Sequence, residues 1–180
     1  MPPVSFDLDS LITSLHGAIA SKRGQRNPGA MRNPVSRYDW GTRLSFTSAG
    51  NVCPYLGGGW SEPESELCWT DGTRAEVILP IGRVESDIIL TARVSPHVST
   101  QTPLQFVKIS IDGVTLGQWT VRQSAAQHAL IFNRYLKGKN SIRLGFELPN
   151  AFSPQSQGIS ADPRRLGLAF HDLVLHLYAP

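Results

Sequence analysis

From residue 41 onward apolar side chains recur at every second position, and this alternation constrains the fold more than any other feature of the chain. Residues 74–81 place Ala75, Val77, Leu79 and Ile81 on one face, and residues 87–94 do the same with Ile88, Leu90, Ala92 and Val94. Residues 104–111 alternate Val107, Ile109 and Ile111 with Lys108 and Ser110, and residues 141–148 alternate Ile142, Leu144, Phe146 and Leu148 with polar or small residues. A period of two belongs to a strand with one buried face. Asp112-Gly113 is a two-residue turn of the kind that closes a tight hairpin, so Val114 to Val121 returns beside 104–111. Residues 127–132 and Leu44–Thr47 add further strands. In the last segment Leu166, Leu168 and Phe170 share one parity, whereas Leu173, Leu175 and Leu177 take the other. That slip at His171-Asp172 predicts a β-bulge. About eight strands with turns between them predict an all-β fold, an antiparallel two-layer β-sandwich of jelly-roll type.

The first residues obey a different period. Leu8, Leu11, Ile12, Leu15 and Ile19 fall on one stripe of a helix, with Asp7, Asp9 and Ser10 at its start and Lys22, Arg23 and Gly24 at its end. Asn27-Pro28 and Asn33-Pro34 break any continuation. The expected organisation is a short amphipathic helix over 1–23, a basic Pro/Gly linker over 24–40 and the sandwich over 41–180. The apolar stripe either packs on the domain or docks into a partner, with a second copy of the chain among the candidates.

Charge is uneven. Residues 22–43 carry Lys22, Arg23, Arg26, Arg32, Arg37 and Arg43 against Asp39 alone, while residues 44–180 hold 11 basic and 11 acidic side chains. The net charge of +3 therefore belongs to the linker. A neutral body excludes a broadly basic nucleic-acid-binding domain. No stretch approaches the roughly 20 apolar residues of a membrane-spanning helix. A basic start and an apolar run, the marks of a secretory signal, are missing from the first residues, so the expected location is cytoplasmic. Cys53 and Cys68 are too few for a disulfide scaffold or a cysteine-based zinc site and read as two free buried thiols.

The familiar catalytic signatures are missing. The chain lacks a G-x-S-x-G elbow, a phosphate loop and H-E-x-x-H; Gly57-Gly58-Gly59 reads as a flexible turn before a strand. His16, His97, His128, His171 and His176 are scattered, so neither a metal nor a cofactor is expected. His171 and His176 fall on opposite faces of an unbroken strand, unless the bulge reverses this. His171-Asp172 has no nucleophile beside it in sequence. Two segments stand out. Trp60 and Trp69 flank Glu62, Glu64 and Glu66, a combination of aromatic rings and carboxylates that suits a sugar. The competing reading makes the tryptophans part of the core. The second segment, Asp162-Pro163-Arg164-Arg165-Leu166-Gly167, offers an arginine either to a carboxylate such as Glu64 or to an acidic ligand group.

Taken together, these two segments resemble a β-sandwich domain found beside, or fused to, bacterial glycosyltransferases and other enzymes of surface-polysaccharide synthesis. The likeness runs through Gly59, Trp60, Glu64, Trp69, Gly72 and Ala75 and resumes at Pro154, Asp162, Arg164 or Arg165, Leu166 and Gly167. It covers roughly residues 55–178. The resemblance implies a carbohydrate-binding-module-like sandwich associated with glycans. Three functions follow as expectations. The first is a non-catalytic carbohydrate-binding or accessory module in bacterial exopolysaccharide synthesis, with a polysaccharide or oligosaccharide held by Trp60, Glu62, Glu64, Trp69, Asp162, Arg164 and Arg165 and with Trp119, Tyr135 and Tyr55 as further outward rings. The second is a scaffold that docks to a glycosyltransferase or synthase, or forms a homo-oligomer, through residues 6–20. The third is a sugar-acting hydrolase or esterase with two convergent carboxylates.

Overall fold

The computed structural model describes residues 35–178. The helix expected over 1–23 and most of the linker, with Leu8, Leu11, Ile12, Leu15 and Ile19, lie outside the described residues. Nine strands run in chain order: β1 (Leu44–Ser45), β2 (Cys68–Asp71), β3 (Arg74–Pro80), β4 (Ile88–Pro96), β5 (Gln105–Ile111), β6 (Val114–Val121), β7 (Ala125–Ile131), β8 (Ser141–Glu147) and β9 (Leu166–Leu177). Short 3-10 turns at Cys53–Tyr55, Asn133–Tyr135 and Gln155–Gln157 are the helical segments among the described residues.

The strands form two antiparallel sheets. One has the order β1-β9-β4-β7, with β2 also paired to β9; the other has the order β3-β8-β5-β6. Each expected apolar face is the one that turns inward. Val77, Leu79, Ile88, Leu90, Val107, Ile109, Leu144 and Phe146 are fully buried between the sheets. The hairpin at Asp112-Gly113 forms with both residues at positive φ, 47° and 86°, and pairs Ile111 with Val114. The bulge also forms where the parity slips: Arg93 pairs with Asp172 and Val94 with Phe170, so His171 is the extra residue.

Tyr38 anchors the segment before β1 to the body. This side chain is 2% exposed, its hydroxyl donates to the Thr42 carbonyl at 2.6 Å, and the Leu175 amide donates back to that hydroxyl at 3.0 Å. Among the described residues, no helix is long and apolar enough to cross a membrane.

The two thiols differ. Cys68 is buried and Cys53 is exposed, which corrects the expectation that both are buried. Cys53 sits on a 3-10 turn at the surface, whereas Cys68 points inward from β2. Burial pushes the Cys68 thiol up to about 11, only partly offset by the Ser61 side chain; the thiol donates to the Ser61 carbonyl at 3.3 Å. At neutral pH a chromogenic thiol reagent should titrate Cys53 within minutes and reach Cys68 only after denaturant is added. Equal, rapid reaction of both would contradict this packing.

Candidate functional site

The two tryptophans of the first segment go to opposite sides of one sheet. Cys68 pairs with Phe170, a core residue, so Cys68 and Thr70 face inward and Trp69 faces out. Trp60 instead bridges to Thr70 and packs inward: its ring lies 5.1 Å from Phe46, 5.1 Å from Phe170 and 6.5 Å from Phe146. Its indole N–H donates to the Glu76 carbonyl at 2.7 Å. The polar handle of Trp60 is thus satisfied by the protein, and the partly buried ring packs against the core.

The carboxylates and arginines gather only in part. Asp162 accepts from the backbone N–H of Arg164 at 3.0 Å and from its Nη2 at 2.7 Å, and Glu64 lies 3.9 Å from Arg164 Nη1. The hydrogen bonds from Arg164 hold the Asp162 carboxyl below the usual range. Arg165 turns elsewhere: its backbone N–H donates to Asp71 Oδ1 at 3.2 Å and its Nη2 to the Ala151 carbonyl at 3.1 Å. Glu62 is exposed. Arg164 is therefore the arginine of this segment that pairs with carboxylates, and it closes a loop rather than facing an open cleft.

Three further rings expected to point outward do not stand free. Trp119 is 5% exposed, because a bulge at Leu116 shifts the register of β6 and turns the ring inward, where its N–H donates to the His128 carbonyl at 2.7 Å. Tyr55 and Tyr135 are half-buried against the core.

Trp69 keeps a different neighbourhood. It stands over the outer face of the first sheet and meets His97 edge-on at 5.7 Å; His97 in turn stacks on Phe152 at 4.4 Å. Burial lowers the His97 pKa against the opposing pull of Asp162. Trp69 pairs with Ala169 from one side and Ser95 pairs with the same Ala169 from the other. Two strand spacings, about 9–10 Å, therefore separate the backbone of Trp69 from that of Ser95. Ala169 between them is fully buried yet stands apart from the core cluster, so side chains on the outer face cover it.

Beside Ser95 lies a cleft of about 320 Å³ lined by Arg93, Ser95, Ser124, Ala125, Ala126 and His171. Ser95 Oγ is 2.7 Å from Ser124 Oγ and 2.8 Å from His171 Nε2. Arg93 Nη2 lies 3.1 Å from Asp172 Oδ2, with Arg43 at 3.8 Å on the same oxygen. The bulge explains the crowding. One extra residue lets both His171 and Asp172 reach the outer face, and His176, which pairs with Ile89, stands on that face as well. A larger cleft of about 580 Å³, lined by Arg83, Glu85, Asn133, Lys137 and Lys139 among others, lies away from these residues. No aromatic ring lines it, and Arg83 and Lys139 are already paired with Glu85 and Asp112.

Sequence reasoning missed Arg93, Ser95 and Ser124. The one available signal was the parity slip at His171-Asp172, which marks a place where β9 re-aims its side chains. Among the described residues, no three His, Cys, Asp or Glu side chains are grouped as metal ligands.

No protein-family model matches the chain, and no curated protein matches it. Solved structures do. A 4-O-methyl-α-glucuronidase of family GH115 with specificity for decorated arabinogalactans aligns at 12% identity and a TM-score of 0.47, over 83% of this chain and 19% of that one. The CBM22-1 xylan-binding domain from Paenibacillus barcinonensis aligns at 11% identity and a TM-score of 0.46, over 79% of this chain and 99% of that one. A CBM36 carbohydrate-binding module in complex with calcium and xylotriose aligns at 10% identity and a TM-score of 0.43, over 74% and 98%. The chain thus spans less than a fifth of the glucuronidase's length.

Proposed function

We propose that this protein is a glycan-binding module that lays a sugar chain across the outer face of the first sheet. One observation carries the reading: Trp69 and the polar cleft flank the same small residue, Ala169, on one face of the sheet. A pyranose has an apolar C–H face and a rim of hydroxyls. The Trp69 ring offers the flat apolar surface, while Ser95, Ser124, His171 and the Arg93 guanidinium offer donors and acceptors one to two strands away. A sheet face presents both without any loop having to move. The resemblance of the two sequence segments to domains that accompany glycosyltransferases supports a bacterial surface polysaccharide, cellulose-like or otherwise, as the setting.

The test is affinity electrophoresis of the full chain through gels containing soluble β-glucans and xylans. Wild-type protein should be retarded in at least one gel, and Trp69→Ala should lose about 2 kcal/mol of binding, as expected of a central aromatic contact, or roughly thirtyfold in Kd. Trp69→Ala should leave the protein folded, since the ring packs on the outside of the sheet and not between the two layers. Free migration of the wild type through every gel, or retention unaffected by Trp69→Ala, would refute the reading.

A further inference from the structure

The polar side chains of the cleft do more than line it. His171 Nδ1 lies 3.3 Å from the Glu66 carbonyl oxygen, Nε2 lies 2.8 Å from Ser95 Oγ, and Ser95 Oγ lies 2.7 Å from Ser124 Oγ. One proton order satisfies all three contacts. Nδ1–H donates to the carbonyl, which fixes the tautomer and leaves Nε2 as an acceptor. Ser95 then donates its hydroxyl proton to Nε2, and Ser124 donates to Ser95 Oγ. The Glu66 carbonyl is held in place by the adjoining turn, in which the Glu64 N–H donates to the Leu67 carbonyl at 2.7 Å. A serine hydroxyl on an imidazole that a third group orients is the arrangement of an activated nucleophile.

We propose that Ser95 is a nucleophile, with His171 as its general base, and that the cleft hydrolyses small O-acyl esters. Ser95 Oγ adds to the ester carbonyl carbon as its proton passes to His171 Nε2. The bond from that carbon to the alcohol oxygen breaks, the alcohol leaves with the proton from His171, and the acyl group stays on Ser95. A water molecule, deprotonated by the same imidazole, adds to the acyl carbon. Ser95 recovers its proton as the carboxylic acid departs. One ester and one water become one alcohol and one acid, with no other reactant. Arg93 is the cation lining the cleft; its Nη2 pairs with Asp172 at 3.1 Å, and its other guanidinium N–H groups face the oxygen that gains charge in the proposed step. Ala125 and Ala126 leave room for an acyl group of few atoms.

The alcohol side of the ester runs toward Trp69, which makes an acylated glycan the fitting substrate. That assignment rests on the glycan reading, whereas the chemistry at Ser95 does not. The test uses probes without sugar, so its failure is distinct from a failure to bind glycans. The full chain is treated with diisopropyl fluorophosphate and the adduct located by peptide mass spectrometry; p-nitrophenyl acetate hydrolysis is followed in parallel. The expected result is an adduct on Ser95 and a hydrolysis rate that falls at least about a hundredfold in Ser95→Ala and His171→Ala. His171→Gln serves as the second base variant, and far-UV circular dichroism checks that each variant is folded. Absence of the adduct from Ser95, or a rate unchanged in a folded His171 variant, overturns the proposal.

Discussion

Replacing Trp60 by alanine should lower the unfolding free energy by about 3–5 kcal/mol, the range for removing a large buried aromatic side chain. The ring touches Phe46, Phe146 and Phe170, which belong to strands or loops from both sheets, so the void it leaves lies between the layers. The variant also removes one of the two hydrogen bonds that the Glu76 carbonyl accepts, the other coming from the Gly57 N–H at 2.8 Å. Trp60→Phe keeps most of the packing and the Gly57 bond to the Glu76 carbonyl, and should lose less, about 1 kcal/mol for one hydrogen bond. Urea denaturation followed by circular dichroism measures both. A folded Trp60→Phe protein should bind glycan like the wild type, because the ring contributes to the core and not to the surface. A loss below about 1 kcal/mol for Trp60→Ala would mean that the ring is not packed as described.

Gly59→Ala should be at least as damaging. Gly59 has φ 84°, and a Cβ there would lie 1.8 Å from the Arg74 carbonyl oxygen and 2.8 Å from Ala75 Cα. Both obstacles are backbone of β3 and cannot rotate away. Relieving the clash means lifting the 57–59 run from β3, which breaks the hydrogen bonds of Gly57 and Gly58 to Glu76 and of Gly59 to Asp71. Positive φ alone costs roughly 1–3 kcal/mol for a residue with a side chain, and the lost contacts add to it. The expected outcome is a protein that is unfolded or insoluble at 37 °C. Gly58→Ala is the control, since a Cβ there meets nothing within 4 Å; its unfolding midpoint should stay close to the wild type. Similar midpoints for the two alanine variants would contradict the close approach.

The sandwich was legible because its inner faces repeat every second residue, and even the bulge left a mark in the parity of β9. What escaped the sequence was pinned by contacts between distant segments. β2 has only Cys68–Asp71, too short for alternation to stand out, and it carries Trp69 outward only because Cys68 opposite Phe170 must face in. The three-glycine run reads as a loose turn, yet each of its members makes a backbone hydrogen bond to β2 or β3. Trp119 changes sides because Leu116 is an extra residue in β6, a slip the flanking Gly117 and Gln118 do not reveal. Of the proposed ligand residues, Asp162, Arg164 and Glu64 do come together, but on one another. Ser95 and His171 are 76 residues apart, and no local pattern announces their contact.

The most direct test of the glycan reading is the indole N–H region of a ¹⁵N-correlated proton spectrum, recorded as a soluble xylo- or cello-oligosaccharide is added. The chain has four tryptophans and hence four indole signals. The N–H groups of Trp60 and Trp119 are committed to the carbonyls of Glu76 and His128, each at 2.7 Å. The Trp69 signal should move with saturation, while those of Trp60 and Trp119 stay in place. Saturable movement of the Trp60 or Trp119 signal, with Trp69 unmoved, would contradict a binding surface on the outer face of the first sheet.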